Sequence, residues 1–176
     1  MVRASFRPRL ATDARLQLIS ESRRDDPSGG GVTRRFWSGP AAAAIVAQAR
    51  RAVMEFAVDR VSGARLIDIS LCVSEAVSNA VAHAFEDGRT QRTITIAAAV
   101  GPDALTVVVT DDGKGFQVRS DNAGLGLGLR LIATLSDSLS VARAALGGTE
   151  VSISFDLDQE HPQRATSGCS NGAART

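Results

Sequence analysis

The sequence predicts an α+β protein: a two-layer α/β sandwich with a mixed, mostly antiparallel sheet and its helices on one face. Three observations lead there. Apolar residues recur at helical spacing in two long early stretches, residues 41–60 and 64–85. Strand-like runs come in pairs around short turn sequences, the mark of antiparallel hairpins. Strands and helices do not alternate one by one, which disfavours a doubly wound parallel sheet. The outer face of such a sheet must be polar or covered, and "VTRRF" and "TITI" show polar alternation.

Residues 1–30 are rich in Arg, Ser and Asp and end in "DDPSGGG", so they read as a flexible extension with a short helix over "ATDARLQLIS" (11–20). "VTRRFWSG" (32–39) reads as a strand with Val32, Arg34 and Phe36 on one face. Pro40 suits the start of a helix, and "AAAAIVAQARRAVMEFAVDR" (41–60) places Ile45, Ala49, Ala52, Val53 and Phe56 on one side. Ser62-Gly63 breaks it, and a second helix runs over 64–85 to stop at "EDGR". Strands follow at 93–100 and 104–110, joined by "GPD". A Gly-rich loop leads into a third helix over 127–137, then come "SLSVARA" and "GTEVSISFDL" around "ALGG". The Ser-, Gly-, Ala- and Arg-rich tail reads as disordered. The expected division is therefore an extension (1–30), one domain (31–157) and a tail (158–176).

Composition narrows the function classes. Hydrophobic residues make up 44% of the 176-residue chain but aromatic residues only 4%, so the core must be built from Ala, Val, Leu and Ile. A formal net charge of +1 gives no electrostatic case for direct nucleic-acid binding. Lys114 is the only lysine. Cys72 and Cys169 make neither a disulfide framework nor a metal site, and Cys72 reads as a small buried hydrophobe. No apolar run reaches the ~18 residues of a membrane span, and the N-terminus has no signal-peptide core. A cytoplasmic location, with no membrane partner, is expected.

Three stretches carry candidate chemistry. Glu75, Asn79 and His83 stand four residues apart on the second helix, drifting only ~40° per step, so they form one polar stripe. The stripe suits a metal ion and a water, or is simply a solvated face. "DDGKGF" (111–116) follows a strand. Its first carboxylate can accept from a base amino group, and Gly113 and Gly115 allow a ring to approach the backbone; alternatively it is an ordinary Asp-Gly turn. "GLGLGL" (124–129) opens the third helix, where free N–H groups make a phosphate cradle, or a loop that packs closely. The three in this order, together with two hairpins, have one joint explanation.

Together they resemble a known family. "SEAVSNAVAHAF" looks like the N box of the Bergerat-fold (GHKL, histidine kinase-like) ATPases, "VTDDGKGF" their first glycine box and "GLGLGLRLIATLSD" their second. "GGTEVSISF" is similar to their closing strand, and the resemblance spans roughly residues 32–157. The N box resembles most the branch of anti-sigma factor serine/threonine kinases, and no dimerising helical hairpin with a phosphoacceptor histidine precedes it. The resemblance implies ATP and Mg²⁺ as ligands, with Asn79 holding Mg²⁺ against the phosphates and Glu75 as general base. Asp111 would accept from the adenine amino group, with Gly113 and Gly115 beside the base and Thr149 near the adenine. His83 would lie at the nucleotide edge, Gly124, Gly126 and Gly128 would serve lid and phosphates, and Lys114 and Arg119 are candidate phosphate contacts.

The implied function is an ATP-binding anti-sigma factor-type regulator. It would phosphorylate Ser or Thr of an anti-sigma antagonist protein and sequester a sigma factor. A homodimer is a candidate assembly, with "FWSGPAAAAIV" as a candidate interface against a core reading of Phe36 and Trp37. The alternative is a non-catalytic or weakly ATP-binding interaction module of the same fold. Its support is the lid: only "QVRSDNA" (117–123) separates Phe116 from the second glycine box, with Arg119 its only basic residue. An ATPase of the repair or chaperone type is disfavoured, since those carry large transducer domains.

Overall fold

A computed structural model describes residues 14–24, 31–83, 91–115, 126–145 and 147–157. In chain order the elements are β1 (Gln17–Arg24), β2 (Val32–Pro40), α1 (Ala43–Ala57), α2 (Gly63–His83), β3 (Thr93–Val100), β4 (Ala104–Asp111), α3 (Leu127–Leu135), β5 (Ser138–Arg143) and β6 (Thr149–Asp156). The strands form one six-stranded sheet in the order β1-β2-β3-β4-β6-β5, and every neighbouring pair is antiparallel. The predicted two-layer sandwich is there, with an antiparallel rather than mixed sheet among the described strands. Helix α1 packs over β2 and β3, α2 over β3, β4 and β6, and α3 against α2 and β5.

Period-two patterning decides which side of each strand meets the helices. Ile94, Ile96, Ala98 and Val100 of β3, Leu105, Val107 and Val109 of β4, and Val151, Ile153 and Phe155 of β6 are all buried. They meet Ile45, Ala49 and Val53 of α1 and Ile69, Val73, Val77 and Ala80 of α2 in one core. A core of small branched side chains suits a chain so poor in aromatic residues. The row of β4 has one polar member: Asp111 continues Leu105, Val107 and Val109 on the same face, and is itself buried.

The N-terminal stretch differs from expectation. Residues 17–24 are not part of a helix but form β1, which pairs with β2 from Gln17↔Ser38 to Arg24↔Val32. Without it β2 would present an open row of N–H and C=O groups, and an eight-residue edge strand satisfies them. Pro40 ends β2, opposite Thr93, instead of opening α1. Helix α1 starts three residues later after Ala42, with no side-chain cap. Helix α3 stops at Leu135, two residues short of expectation, where the Ser136 hydroxyl donates back to the Ile132 carbonyl at 2.7 Å.

Phe36 and Trp37 separate. Trp37 is core, edge-on to Phe56 with ring centroids 6.1 Å apart, whereas Phe36 lies half-buried on the outer face of the sheet. Successive strand residues cannot share a face, so the two together never formed one patch. Among the described residues, no helix is long and apolar enough to cross a membrane.

Cys72 is fully buried, as expected. Burial, with the Asp68 charge adding to it, pushes its thiol from the ordinary 9.0 up to about 12. The folded chain therefore keeps a proton that the unfolded chain releases above pH 9.0. Stability is fully present below that pH and declines as pH rises toward 12, at most ~1.4 kcal/mol per pH unit. Urea unfolding of wild type and Cys72→Ala between neutral and alkaline pH checks this. The wild type should lose more stability with pH than the variant, and parallel profiles would refute the assignment.

Candidate functional site

A cavity of about 330 Å³ opens beside the C-terminal half of α2, between the ends of β4 and β6 and the start of α3. Helix α2 contributes Ala76, Asn79, Ala80 and His83. The strands contribute Val109, Asp111, Val141, Thr149 and Val151. Lys114, Gly115, Gly126 and Leu129 close the rim. Apolar walls with a few convergent polar groups are what a heterocyclic ligand needs. The cavity thus unites residues from four stretches of sequence, 76–83, 109–115, 126–129 and 141–151.

Asp111 stands on the floor. It is the last residue of the buried β4 row, 5% exposed, and its Oδ1 accepts the Gly113 N–H at 2.7 Å. One oxygen is thereby turned back to the loop, and the other retains acceptor capacity for a donor from outside. The glycines around it answer to its crowding. A Cβ on Gly113 would lie 2.7 Å from Asp111 Oδ1. Gly115 has φ +89°, and a Cβ there would lie 2.9 Å from the Gly148 carbonyl oxygen. Within the described chain these two glycines are demanded first by Asp111 and by the β5–β6 turn.

That turn was missed from sequence, where "ALGG" read only as a hairpin connection. Gly148 has φ +82°, and a Cβ there would overlap the Asp111 carbonyl group. The turn is a backstop for Asp111. Gly148→Ala should cost at least about 1–3 kcal/mol from backbone strain alone, and more where the overlap moves Asp111. Thermal unfolding together with nucleotide titration checks it, since both stability and affinity should fall.

The α2 stripe runs from beside the Asp111 loop, at His83, to the start of α3, at Glu75. Asn79 and His83 line the cavity, and Glu75 sits one turn earlier, outside the lining, against α3. A Cβ on Gly128 would come within 2.6 Å of Glu75 Oε2 and 3.2 Å of Asn79 Nδ2. Glycine at 128 lets the first turn of α3 lie directly on the Glu75–Asn79 edge. Gly126 is different: it lines the cavity, yet a side chain there would meet nothing within 4 Å. The leading N–H groups of α3 have no acceptors within the helix, a geometry that suits an anion, and they stand beside a carboxylate and a carboxamide. Gly124 and Arg119 lie outside the described residues.

Asp112, the residue next to Asp111, faces solvent. Its side chain is 48% exposed, but it is ion-paired with Arg92 at 3.8 Å and accepts the Thr93 N–H at 3.1 Å. Arg92 was also missed: a lone arginine before a strand has no sequence signature. At the far end of the helical layer, Arg65 ties α2 to α3. It donates to the Leu135 carbonyl at 3.1 Å, pairs with Asp137, and lies over the Phe155 ring at 5.3 Å. Asp137 in turn accepts the Asp156 N–H at 2.7 Å. This fixes the axis of α3, and so where its glycine-rich start meets α2.

The residues fit a nucleotide triphosphate. An acceptor at the closed end suits an amino group of a base, and the α3 turn suits phosphates. Among the described residues no three His, Cys, Asp or Glu side chains gather into a metal cluster. The donor set at Asn79 instead matches a Mg²⁺ that shares its ligands with phosphates and water.

The model of the family described as "Histidine kinase-like ATPase domain" matches residues 39–155. The chain is 31% identical over 114 residues to the "Serine-protein kinase RsbW" of Bacillus licheniformis, covering 56% of this chain and 69% of that protein. It is 33% identical over 97 residues to the "Anti-sigma F factor" of Caldanaerobacter subterraneus subsp. tengcongensis, covering 49% and 66%. To the "Sensor histidine kinase PdtaS" of Mycolicibacterium smegmatis it is 37% identical over 93 residues, 49% of this chain but only 19% of that protein.

Proposed function

We infer that this chain, which belongs to the histidine kinase-like ATPase domain family, is an ATP-binding regulator of the anti-sigma kinase type. It transfers the γ-phosphoryl group of ATP to a Ser or Thr of an antagonist protein, and holds a sigma factor when that antagonist is absent. The similarity to proteins named serine-protein kinase and anti-sigma F factor supports the class. One observation supports the mechanism most: a buried acceptor, Asp111, lines the same cavity as Asn79, and Glu75 stands one helical turn before Asn79 against the start of α3.

Each group then has a task. Asp111 accepts from the exocyclic amino group of adenine and sets the depth of the base. The N–H groups at the start of α3 hold the phosphates. Asn79 would hold Mg²⁺, which would supply charge neutralisation on the phosphates. Glu75 accepts the proton of the incoming Ser or Thr hydroxyl as the new P–O bond forms and the bond to ADP breaks. Thr149 and His83 flank the nucleotide, and Lys114 stands at the rim.

Binding of ATP measured with and without Mg²⁺, followed by radiolabelled transfer to candidate antagonist proteins, tests the reading. Binding strengthened by Mg²⁺ with label on a Ser or Thr is expected. The second reading, a partner-holding module without transfer, is favoured by the seven-residue lid sequence with its single arginine. ATP binding without label on any antagonist that the protein captures would select it.

A further inference from the structure

Arg92 is a buried cation that the proposed reaction does not use. Its side chain is 2% exposed, and it lies immediately before β3. The guanidinium Nη1 donates to the main-chain carbonyl of Asp112 and stands 3.8 Å from Asp112 Oδ1. Asp112 Oδ1 accepts the Thr93 N–H at 3.1 Å, and the Arg92 carbonyl accepts the Ala41 N–H at 2.8 Å. The last paired residues of β3 and β4 are Ile94 and Asp111. Arg92, Thr93 and Asp112 therefore extend that ladder by side-chain bonds, one residue beyond the point where the backbone bonds cease.

An ion pair with one half-exposed partner is a weak source of stability. It does fix geometry, because a guanidinium offers donors in a rigid fork. Here the guanidinium holds the Asp112–Gly113 peptide, whose Gly113 N–H donates to Asp111 Oδ1 at 2.7 Å. From the other side, the positive-φ turn at Gly148 abuts the Asp111 carbonyl. Asp111 is gripped between the two, with its carboxylate on the cavity floor.

We propose that Arg92 is a positioning residue for base recognition: by clamping the Asp112 peptide it fixes the Asp111 carboxylate so that an adenine is bound in preference to a guanine. This rests on the reading of Asp111 as the acceptor for the base amino group. Guanine presents a carbonyl where adenine presents its amino group, so a carboxylate held rigidly there repels it, and one free to swing does so less.

The test compares ATP, GTP and inorganic tripolyphosphate on wild type, Arg92→Gln, Arg92→Lys, Asp112→Ala and Asp111→Asn, with thermal unfolding of each. Arg92→Gln should weaken ATP about tenfold, narrow the ATP-over-GTP preference and leave tripolyphosphate unchanged. Arg92→Lys should restore part of the preference. Asp112→Ala removes a half-exposed partner of the clamp and should shift the preference the same way, which decides the matter even where Arg92→Gln does not fold. Equal losses for all three ligands, or an unchanged preference in folded Arg92→Gln and Asp112→Ala, overturn the proposal. Wild-type ATP affinity in Asp111→Asn overturns the underlying reading as well, whereas a defect there with a normal Arg92→Gln removes only the clamp.

Discussion

Asp111→Asn is expected to lower ATP affinity about 30- to 100-fold while leaving the fold intact. The size follows from loss of one hydrogen bond to a charged acceptor at a buried position, about 2–3 kcal/mol. The sign has a second cause. The Asn oxygen can keep the 2.7 Å bond from the Gly113 N–H, so its amide nitrogen takes the place of the outward oxygen. A donor then faces the donor of the base. Thermal unfolding should not drop, because removing a charge from a site only 5% exposed relieves desolvation. Calorimetric titration with ATP and ADP, beside a melting curve, settles it. Unchanged affinity in a folded variant would sink the assignment of the base pocket.

Glu75→Ala is expected to reduce phosphoryl transfer about 10²–10⁴-fold, the usual share of a general base, with ATP affinity changed little. Affinity is spared because Glu75 lies outside the cavity lining, one helical turn before Asn79. Its Oε2 lies against Gly128 at the start of α3, where the γ-phosphate end of the nucleotide would reach. Glu75→Gln keeps the volume against Gly128 and should fail equally in transfer. Single-turnover transfer with bound ATP separates chemistry from binding. Transfer at the wild-type rate in both variants would remove Glu75 as the base. A loss of ATP affinity as large as the loss of transfer would make it a binding residue instead.

Much of this site was legible before any coordinates. The four-residue spacing of Glu75, Asn79 and His83 puts them on one helix face, and Asn79 and His83 do line the cavity. Period-two burial through Leu105, Val107 and Val109 places Asp111 on the core face, so its burial follows from the alternation of "ALTVVVTD". The hairpins followed from turn chemistry. The N-terminal strand was misread because an edge strand is stabilised by its neighbour, and its own eight exposed residues show little amphipathic pattern. Pro40 was misplaced because a proline suits the end of a strand as well as the start of a helix.

The sequence by itself determined the element order from β2 onward, the core faces of β3, β4 and β6, and the polar stripe of α2, since these depend on periodicity within single elements. Tertiary structure alone decided what touches what across elements. It set the Gly147–Gly148 turn behind Asp111, the Arg92 clamp on Asp112, and Gly128 against Glu75. The physical reason is common to all three. Glycine and arginine act here through backbone approach and through hydrogen bonds to main-chain groups of distant strands, and such contacts leave no periodic trace in a one-dimensional sequence.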